Sequence, residues 1–224
     1  MSFAHQEGVG FYPCCGKIVC DGCGYNSSKS GSHKCPFCNT SLETEYEIIL
    51  EQQMKRVEAN DAESMTQLGC CYAKGYLGLQ QDWNKALELW TRAAELGSSI
   101  AHYMIGGAYY QGMGIEKDVK KGIHHSELAA MAGHELARYN LGCIELKSGN
   151  MERAMKHWKI SASAGDSDSM TAIHQLFKMG CVQNDVYELT LKAHNDAFAE
   201  MRSKGREDAE ESWQYQDIRS RNHT

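Results

Sequence analysis

Leu68-Gly69-Cys70-Cys71-Tyr72-Ala73-Lys74-Gly75 is an eight-residue stretch that returns further along the chain, as Ile105–Gly112 and, in a weaker form, from Leu141. Each copy is followed by a second pattern, which in its first occurrence is Lys85-Ala86-x-x-Leu89-Trp90-x-Arg92-Ala93-Ala94-x-x-Gly97. The final glycines of successive copies, Gly97, Gly133 and Gly165, are 36 and 32 residues apart. Self-similarity at such a period is the signature of a repeat architecture, so the chain is predicted to stack copies of one unit.

The repeated unit is predicted to be two helices joined by a turn. In the first copy, helix A is expected over about Ala62–Lys74 and helix B over Asp82–Leu96. Gly75 and Gly112 suit the left-handed position that often follows a helix end. Asp82 and Asp118 suit the N-cap of helix B, where a side-chain oxygen accepts from a free backbone N–H. Stacked pairs of this kind would form an all-α solenoid, because one pair cannot bury its apolar face alone.

Each helix A also carries an interior glycine, which costs about 1 kcal/mol relative to alanine. We therefore expect a neighbouring helix to approach closely at Gly69, Gly106 and Gly142. The small residues expected to face these glycines are Ala93-Ala94, Ala129-Ala130 and Ala162. His125 and His157 occupy the repeat position of Leu89 and are predicted to be structural substitutes for it.

The combined pattern, Leu-Gly-x-x-Tyr-x-x-Gly followed by Asp-x-x-Lys-Ala-x-x-Leu-Trp-x-x-Ala-Ala-x-x-Gly, resembles the Sel-1-like repeat, a relative of the tetratricopeptide repeat. The resemblance covers residues 61–194, with copies at 61–98, 99–134 and 135–166 and a degenerate copy at 167–194. It implies a right-handed α-solenoid that acts as a scaffold, binding other proteins on a concave face made mainly by the A helices. Candidate specificity residues on those helices are Gln67, Lys74, His102, Gln111 and Arg138.

The segments outside the repeats have their own patterns. A linking helix is expected within residues 42–60, from Leu42 to about Ala59. A long helix is expected from Asp185 to about Asp217, leading into a C-terminal helix and tail at 195–224. This helix is expected either to cap the stack or to extend away from it. Residues 1–41, named here the head, are predicted to be loops around cysteines.

Composition separates the head from the rest of the chain and excludes several classes of function. The chain has 224 residues and ten cysteines, and six of the cysteines lie between Cys14 and Cys38. Its net charge of −6 provides no basic patch for nucleic acid. No apolar run of about 18 residues would cross a membrane, and the first ten residues do not resemble a secretory signal. A cytoplasmic protein is expected, and in that compartment clustered cysteines indicate metal binding rather than disulfides.

Two C-x-x-C pairs in the head predict a zinc site. Cys20-x-x-Cys23 and Cys35-x-x-Cys38 are separated by 11 residues, and thiolate pairs at such spacing hold zinc at about 2.3 Å. The head has few apolar residues, so the metal would supply its folding free energy. The candidate ligands for one or two Zn²⁺ ions are Cys14, Cys15, Cys20, Cys23, Cys35 and Cys38.

The order of these cysteines resembles the RING-type zinc finger of ubiquitin ligases, with Cys35-Pro36-x-Cys38 as its closing pair. The resemblance implies that Cys35 and Cys38 share one ion with ligands near Cys14 and Cys15. It also implies that the head recruits a ubiquitin-conjugating enzyme while the repeats hold a substrate. This chain has no C-x-x-C pair before Cys14, and Lys17 stands where many members have a histidine ligand.

Two other interpretations of the head remain open. One is a single site formed by Cys20, Cys23, Cys35 and Cys38, and the other is thiols or disulfides without metal. No phosphate-binding loop and no nucleophile–base arrangement is evident in the sequence. The sequence therefore favours a protein-binding adaptor, with a RING-type ubiquitin ligase as the alternative.

Overall fold

The computed structural model describes residues 3–6, 9–20, 34–35, 37–41 and 46–201. Its head contains an antiparallel three-stranded sheet with strands β1 (Phe3–Gln6), β2 (Val9–Tyr12) and β3 (Lys17–Cys20) in that order. The prediction that the head consists of loops is wrong in this part. Tyr12 pairs with Lys17 across a four-residue turn, and the β-branched Ile18 and Val19 favour an extended strand.

The remaining described residues are mainly helical. The helices are α1 (Tyr46–Glu58), α2 (Ala62–Lys74), α3 (Trp83–Glu95), α4 (Ser99–Gln111), α5 (Val119–Met131), α6 (Glu135–Lys147), α7 (Met151–Ser163), α8 (Ser167–Lys178) and α9 (Asn184–Met201). Within a repeat, α2 packs on α3, α4 on α5 and α6 on α7. Each pair also packs on the next, so the predicted all-helical solenoid is confirmed.

The ends of the repeat helices form as the sequence predicts. Gly75 and Gly112 follow α2 and α4 with φ angles of 70° and 74°, a left-handed conformation that glycine adopts without steric cost. The side chain of Asp82 accepts hydrogen bonds from the backbone N–H groups of Asn84 and Lys85. Asp118 does the same for Lys121 at the start of α5.

The close approach expected at the interior glycines is present, but its partners differ from the expected alanines. A Cβ atom added to Gly69 would lie 2.5 Å from Nε1 of Trp90, and one added to Gly106 would lie 2.7 Å from Oγ of Ser126. At Gly142 the nearest atoms belong to Trp158. The residue that faces each glycine is therefore the one that directly follows the Leu89 position in its repeat, namely Trp90, Ser126 or Trp158.

The two indoles are fixed by equivalent hydrogen bonds in repeats 1 and 3. Trp90 Nε1 donates to the carbonyl oxygen of Thr66 at 3.1 Å, and Trp158 Nε1 donates to that of Tyr139 at 3.1 Å. Both acceptors lie three residues before the glycine that the indole covers. Each tryptophan therefore fills the space above a glycine and satisfies its only polar group on the same helix.

The buried apolar side chains form three clusters along the stack. The largest extends through α1–α4, from Ile49 to Ala108. A small one in α5 and α6 contains Ala129, Ala130, Ala137 and Leu141. The third lies in α7 and α8. The apolar core is thus interrupted around the second and third repeats.

The last helix closes the described end of the stack. α9 packs on both α7 and α8, and Nδ1 of the buried His194 lies 3.1 Å from the carbonyl oxygen of Ala162. The helix continues without a break across residues 194 and 195, where the sequence predicts the boundary between the last repeat and the C-terminal segment. The rest of the expected C-terminal helix, residues 202–217, lies outside the described residues. Among the described helices, none has the length and apolar character needed to cross a membrane.

Candidate functional site

Two tight turns in the head each present two cysteines. The first turn joins β2 to β3, and the backbone N–H of Gly16 donates to the carbonyl oxygen of Tyr12 at 2.8 Å. The second begins at Cys35, whose N–H donates to Thr40 and whose carbonyl oxygen accepts from Asn39. The rings of Tyr12 and Phe37 meet edge to face, with centroids 6.0 Å apart, and so join the two turns.

The turns bring four thiols together into what we name the four-cysteine cluster: Cys14, Cys15, Cys35 and Cys38. Their sulfur atoms all lie within 4.8 Å of one another. The Sγ atoms of Cys15 and Cys35 are 3.6 Å apart, and those of Cys14 and Cys38 are 3.5 Å apart. Four thiolates around one zinc ion at about 2.3 Å would be separated by roughly 3.8 Å. The four cysteines could therefore hold a metal ion.

The thiols of the cluster differ in their surroundings. Burial raises the pKa of Cys14, and hydrogen bonding to Cys38 raises it further. Burial also raises the pKa of Cys15, with the backbone N–H of Lys17 acting in the opposite direction. Cys38 is exposed, and hydrogen bonds from the hydroxyl and backbone N–H of Thr40 lower its pKa to about 6. Cys38 therefore becomes a thiolate most readily, and a bound cation would deprotonate the others.

The structure brings together four of the six predicted ligands. Cys14 and Cys15 lie beside Cys35 and Cys38, which is the grouping that the RING-type resemblance implies for one of its two ions. Cys20 lies in β3, but its side chain lies outside the described residues, as does all of Cys23. Metal binding by Cys20 and Cys23 remains a prediction.

The first turn also contacts the repeats. A Cβ atom added to Gly16 would lie 2.5 Å from both Nε of Arg56 and Oδ2 of Asp61, so the turn rests directly on this ion pair. Arg56 Nε donates to Asp61 Oδ2 at 2.8 Å, and Asp61 Oδ1 accepts from the N–H of Ser64 as the N-cap of α2. One carboxylate therefore starts the first repeat helix and fixes the arginine on which the head rests.

The residues expected to carry partner specificity differ in their accessibility. Lys74 and Gln111 are exposed at the ends of their A helices. Gln67 is only 8% exposed and donates to Glu63. Contrary to the expectation, its side chain is therefore not available to a partner. His102 and Arg138 are half-buried. Of the five candidates, Lys74 and Gln111 are therefore the exposed ones.

His102 and Arg138 belong to a polar interruption of the core. Both occupy the repeat position of Met65, four residues before the interior glycine. Their counterparts on helix B are His125 and His157, at the position of Leu89. Repeat 1 has two buried apolar residues at these positions, repeat 2 has two histidines, and repeat 3 has arginine and histidine.

The imidazole nitrogens in this interruption lie close together. The Nδ1 atoms of His102 and His125 are 3.1 Å apart, so one ring donates to the other. Burial lowers the pKa of both rings, and the neighbouring His124 lowers it further. In repeat 3, burial lowers the pKa of His157, with Arg138 adding to the effect, and Arg138 donates to the carbonyl oxygen of Ala130.

The helical repeats are similar to repeats of known proteins. A family model of the Sel1 repeat matches residues 62–98, 99–134 and 136–166. The protein L21 of Acanthamoeba polyphaga mimivirus, which is named for sel1-like repeats, is 29% identical over 150 residues. That match covers 66% of this chain but 27% of the relative, so the chain corresponds to about a quarter of the relative's length.

Solved structures show the same fold. A Sel1 repeat protein from Oxalobacter formigenes aligns with a TM-score of 0.61 and 22% identity, covering 81% of this chain and 72% of its own. A protective antigen present in uropathogenic Escherichia coli strains, which has an SLR fold, aligns with a TM-score of 0.59 and 21% identity. The second alignment covers 83% of this chain and 38% of the antigen.

Proposed function

Since a family model of the Sel1 repeat matches residues 62–98, 99–134 and 136–166, we propose that the chain is an adaptor that binds a partner protein on its repeats and a zinc ion in its head. The observation that carries the proposal is the stack of three A/B helix pairs, each packed on the next. A solenoid of this kind presents an extended surface on which a partner segment can lie without any change in fold. The function of the repeats is then binding, not chemistry.

The A-helix ends are the part of this surface that a variant can test. We expect the double change Lys74→Ala with Gln111→Ala to weaken partner binding, because both side chains are exposed and neither caps a helix. The matched control is Glu88→Ala with Lys159→Ala, which removes two exposed side chains from B helices. Both variants would first be shown to have the same thermal melting curve as the wild-type chain. The proteins that each variant retains would then be compared with those that the wild-type chain retains. Equal retention by the two variants would contradict this mapping.

The four-cysteine cluster supports zinc as the metal. Soft thiolate donors select zinc over magnesium or calcium, and four of them in tetrahedral reach form a closed structural site. Cys14, Cys15, Cys35 and Cys38 would hold the ion, whose role is to join the two turns. The acidic proton of each thiol leaves on binding, so affinity should fall at low pH.

Zinc content per chain tests this assignment directly. Elemental analysis should give one zinc for the wild-type chain and for the control Cys181→Ser, whose thiol is exposed in the connection between α8 and α9. Cys35→Ser with Cys38→Ser should lose it. Two zinc ions would show that Cys20 and Cys23 form a second site. Absence of zinc from a chain purified without chelators would remove the metal part of the proposal.

A ubiquitin ligase is the second candidate function. It is favoured by one observation, the grouping of Cys14 and Cys15 with Cys35 and Cys38, which matches one of the two ion sites of a RING-type finger. Such a head has no catalytic nucleophile and acts by orienting the charged conjugating enzyme. Self-ubiquitylation together with two zinc ions would support the ligase. One zinc ion without self-ubiquitylation supports the adaptor.

A further inference from the structure

We propose that the four-cysteine cluster is also an oxidation site, at which a peroxide converts the thiols into two disulfides, Cys14–Cys38 and Cys15–Cys35. The inference concerns the same thiols as the proposed zinc site, but it holds for the metal-free chain as well. It predicts that the cluster is either bound to a metal ion or oxidised to disulfides, but never both, since sulfur atoms joined in a disulfide are no longer thiolate ligands.

The pairing follows from the distances within the cluster. The sulfur atoms of Cys14 and Cys38 are 3.5 Å apart, and those of Cys15 and Cys35 are 3.6 Å apart. A disulfide bond is about 2.0 Å long, so each pair has to close by about 1.5 Å. Both pairs connect the first turn to the second turn. Two such disulfides would therefore join the same two turns that a metal ion would join.

Accessibility determines which thiol reacts first. Cys38 is exposed, whereas Cys35 is only 2% exposed. The Cys38 thiol attacks one oxygen of hydrogen peroxide, giving a sulfenic acid and one water. The Cys14 sulfur then attacks the sulfenic sulfur, the S–S bond forms, and a second water leaves.

Each pair thus gives two electrons and two hydrogens to one peroxide molecule, and four thiols consume two peroxides and release four waters. Cys15, which is half-buried, is the entry point for the second peroxide, and Cys35 completes that pair. The buried Cys35 therefore needs no direct contact with the oxidant.

Mass spectrometry of the full chain tests the pairing. Metal-free, reduced protein treated with hydrogen peroxide should lose four hydrogens from its cysteines. Trypsin cleaves after Lys17, Lys34 and Lys55. Without reductant, residues 1–17 should remain linked to residues 35–55 in the digest. Separate peptides at these positions, each with an internal Cys14–Cys15 or Cys35–Cys38 bond, would overturn the proposal.

Two matched double variants test which sulfur joins which. Cys15→Ser with Cys35→Ser leaves the facing pair Cys14 and Cys38, and should form the linked peptides with loss of two hydrogens. Cys14→Ser with Cys35→Ser also keeps the exposed Cys38 but leaves it with Cys15, and should form the linked peptides more slowly. Equal rates in the two variants would contradict the assigned pairing, and so would faster linkage in the second.

A zinc-loaded sample separates this inference from the proposed zinc site. Peroxide should release zinc, measured with a coloured chelator, in step with the appearance of the linked peptides. Linked peptides in a chain that never binds zinc would support the oxidation site and contradict the zinc proposal. Zinc binding without linked peptides after peroxide would overturn the oxidation site alone.

Discussion

Gly69 has no side chain, and this allows α2 to pack closely against Trp90 of α3. Its Cα lies under the indole of Trp90, where an added Cβ would be 2.5 Å from Nε1. Gly69→Ala should therefore destabilise the fold by about 1–3 kcal/mol, because the indole must move from the position in which it donates to Thr66. Chemical denaturation followed by circular dichroism would measure the loss.

Gly107 provides the matched control for this substitution. It also lies inside an A helix, but an added Cβ would meet no atom within 4 Å. Gly107→Ala should raise stability by about 0.5–1 kcal/mol, since alanine is the better helix former. If the two substitutions had the same effect, helix propensity and not the contact with Trp90 would explain the glycine.

The ligand set shows where inference from sequence reaches its limit at single residues. The cysteine count and the C-x-x-C spacing identify six candidate ligands. Spacing does not determine which of them meet, because that depends on how the β2–β3 turn folds back over Cys35. The sequence does contain a signal for that turn, since Gly16 follows Pro13 between two short extended segments.

At the scale of the helix pair, the second repeat should be sensitive to acid. The pKa values of His102 and His125 are lowered in the folded chain, so unfolded chains bind protons first as the pH falls below about 6.5. Stability is then complete at neutral pH and decreases from about pH 6.5 downward. Thermal melting at a series of pH values from about 7.5 to about 5 should show this decrease.

A double substitution tests whether the histidine pair causes the acid sensitivity. His102→Met with His125→Leu gives repeat 2 the residues that repeat 1 has at Met65 and Leu89. This variant should melt at a higher temperature and lose less stability in acid. Some sensitivity should remain, because burial also lowers the pKa of His134 and His157. A variant as acid-sensitive as the wild type would refute the explanation.

The helical elements could be predicted largely from sequence, whereas the strands could not. Repetition, N-cap aspartates and C-terminal glycines determine the bounds of α2 and α3 to within one residue. β1, β2 and β3 are four residues each and do not repeat, so no pattern separates them from loops. The contact between His102 and His125 was also not predicted. His102 is recognised as the partner of His125 only when the second repeat is aligned with the first, which places His102 at the position of Met65.

At the scale of the whole molecule, the contact at Gly16 couples the head to the repeats. Its φ angle is 67°, and an added Cβ would press on Arg56 and Asp61. Gly16→Ala should therefore loosen the head, which would appear as faster amide hydrogen exchange in β2 and β3 and as weaker metal binding. The repeats should retain their helical content, since their helix pairs pack on one another independently of the head.

Gly78 separates the effect of contact from that of backbone strain. Its φ angle of 75° is close to that of Gly16, but an added Cβ would meet nothing within 4 Å. Gly78→Ala pays a similar conformational cost of about 1–2 kcal/mol without touching the head. Faster exchange in the head of the Gly78 variant would show that the Gly16 contact does not hold the head in place.

The position of this contact along the chain has a consequence for biosynthesis. The four-cysteine cluster, Arg56, Asp61 and the capped Ser64 all precede most of the first repeat. Chains leave the ribosome from the N-terminus at about 5–20 residues per second, so the head and the ion pair of Arg56 and Asp61 emerge before the repeats. We expect nascent helix pairs to be added one at a time onto an N-terminal base that has already folded.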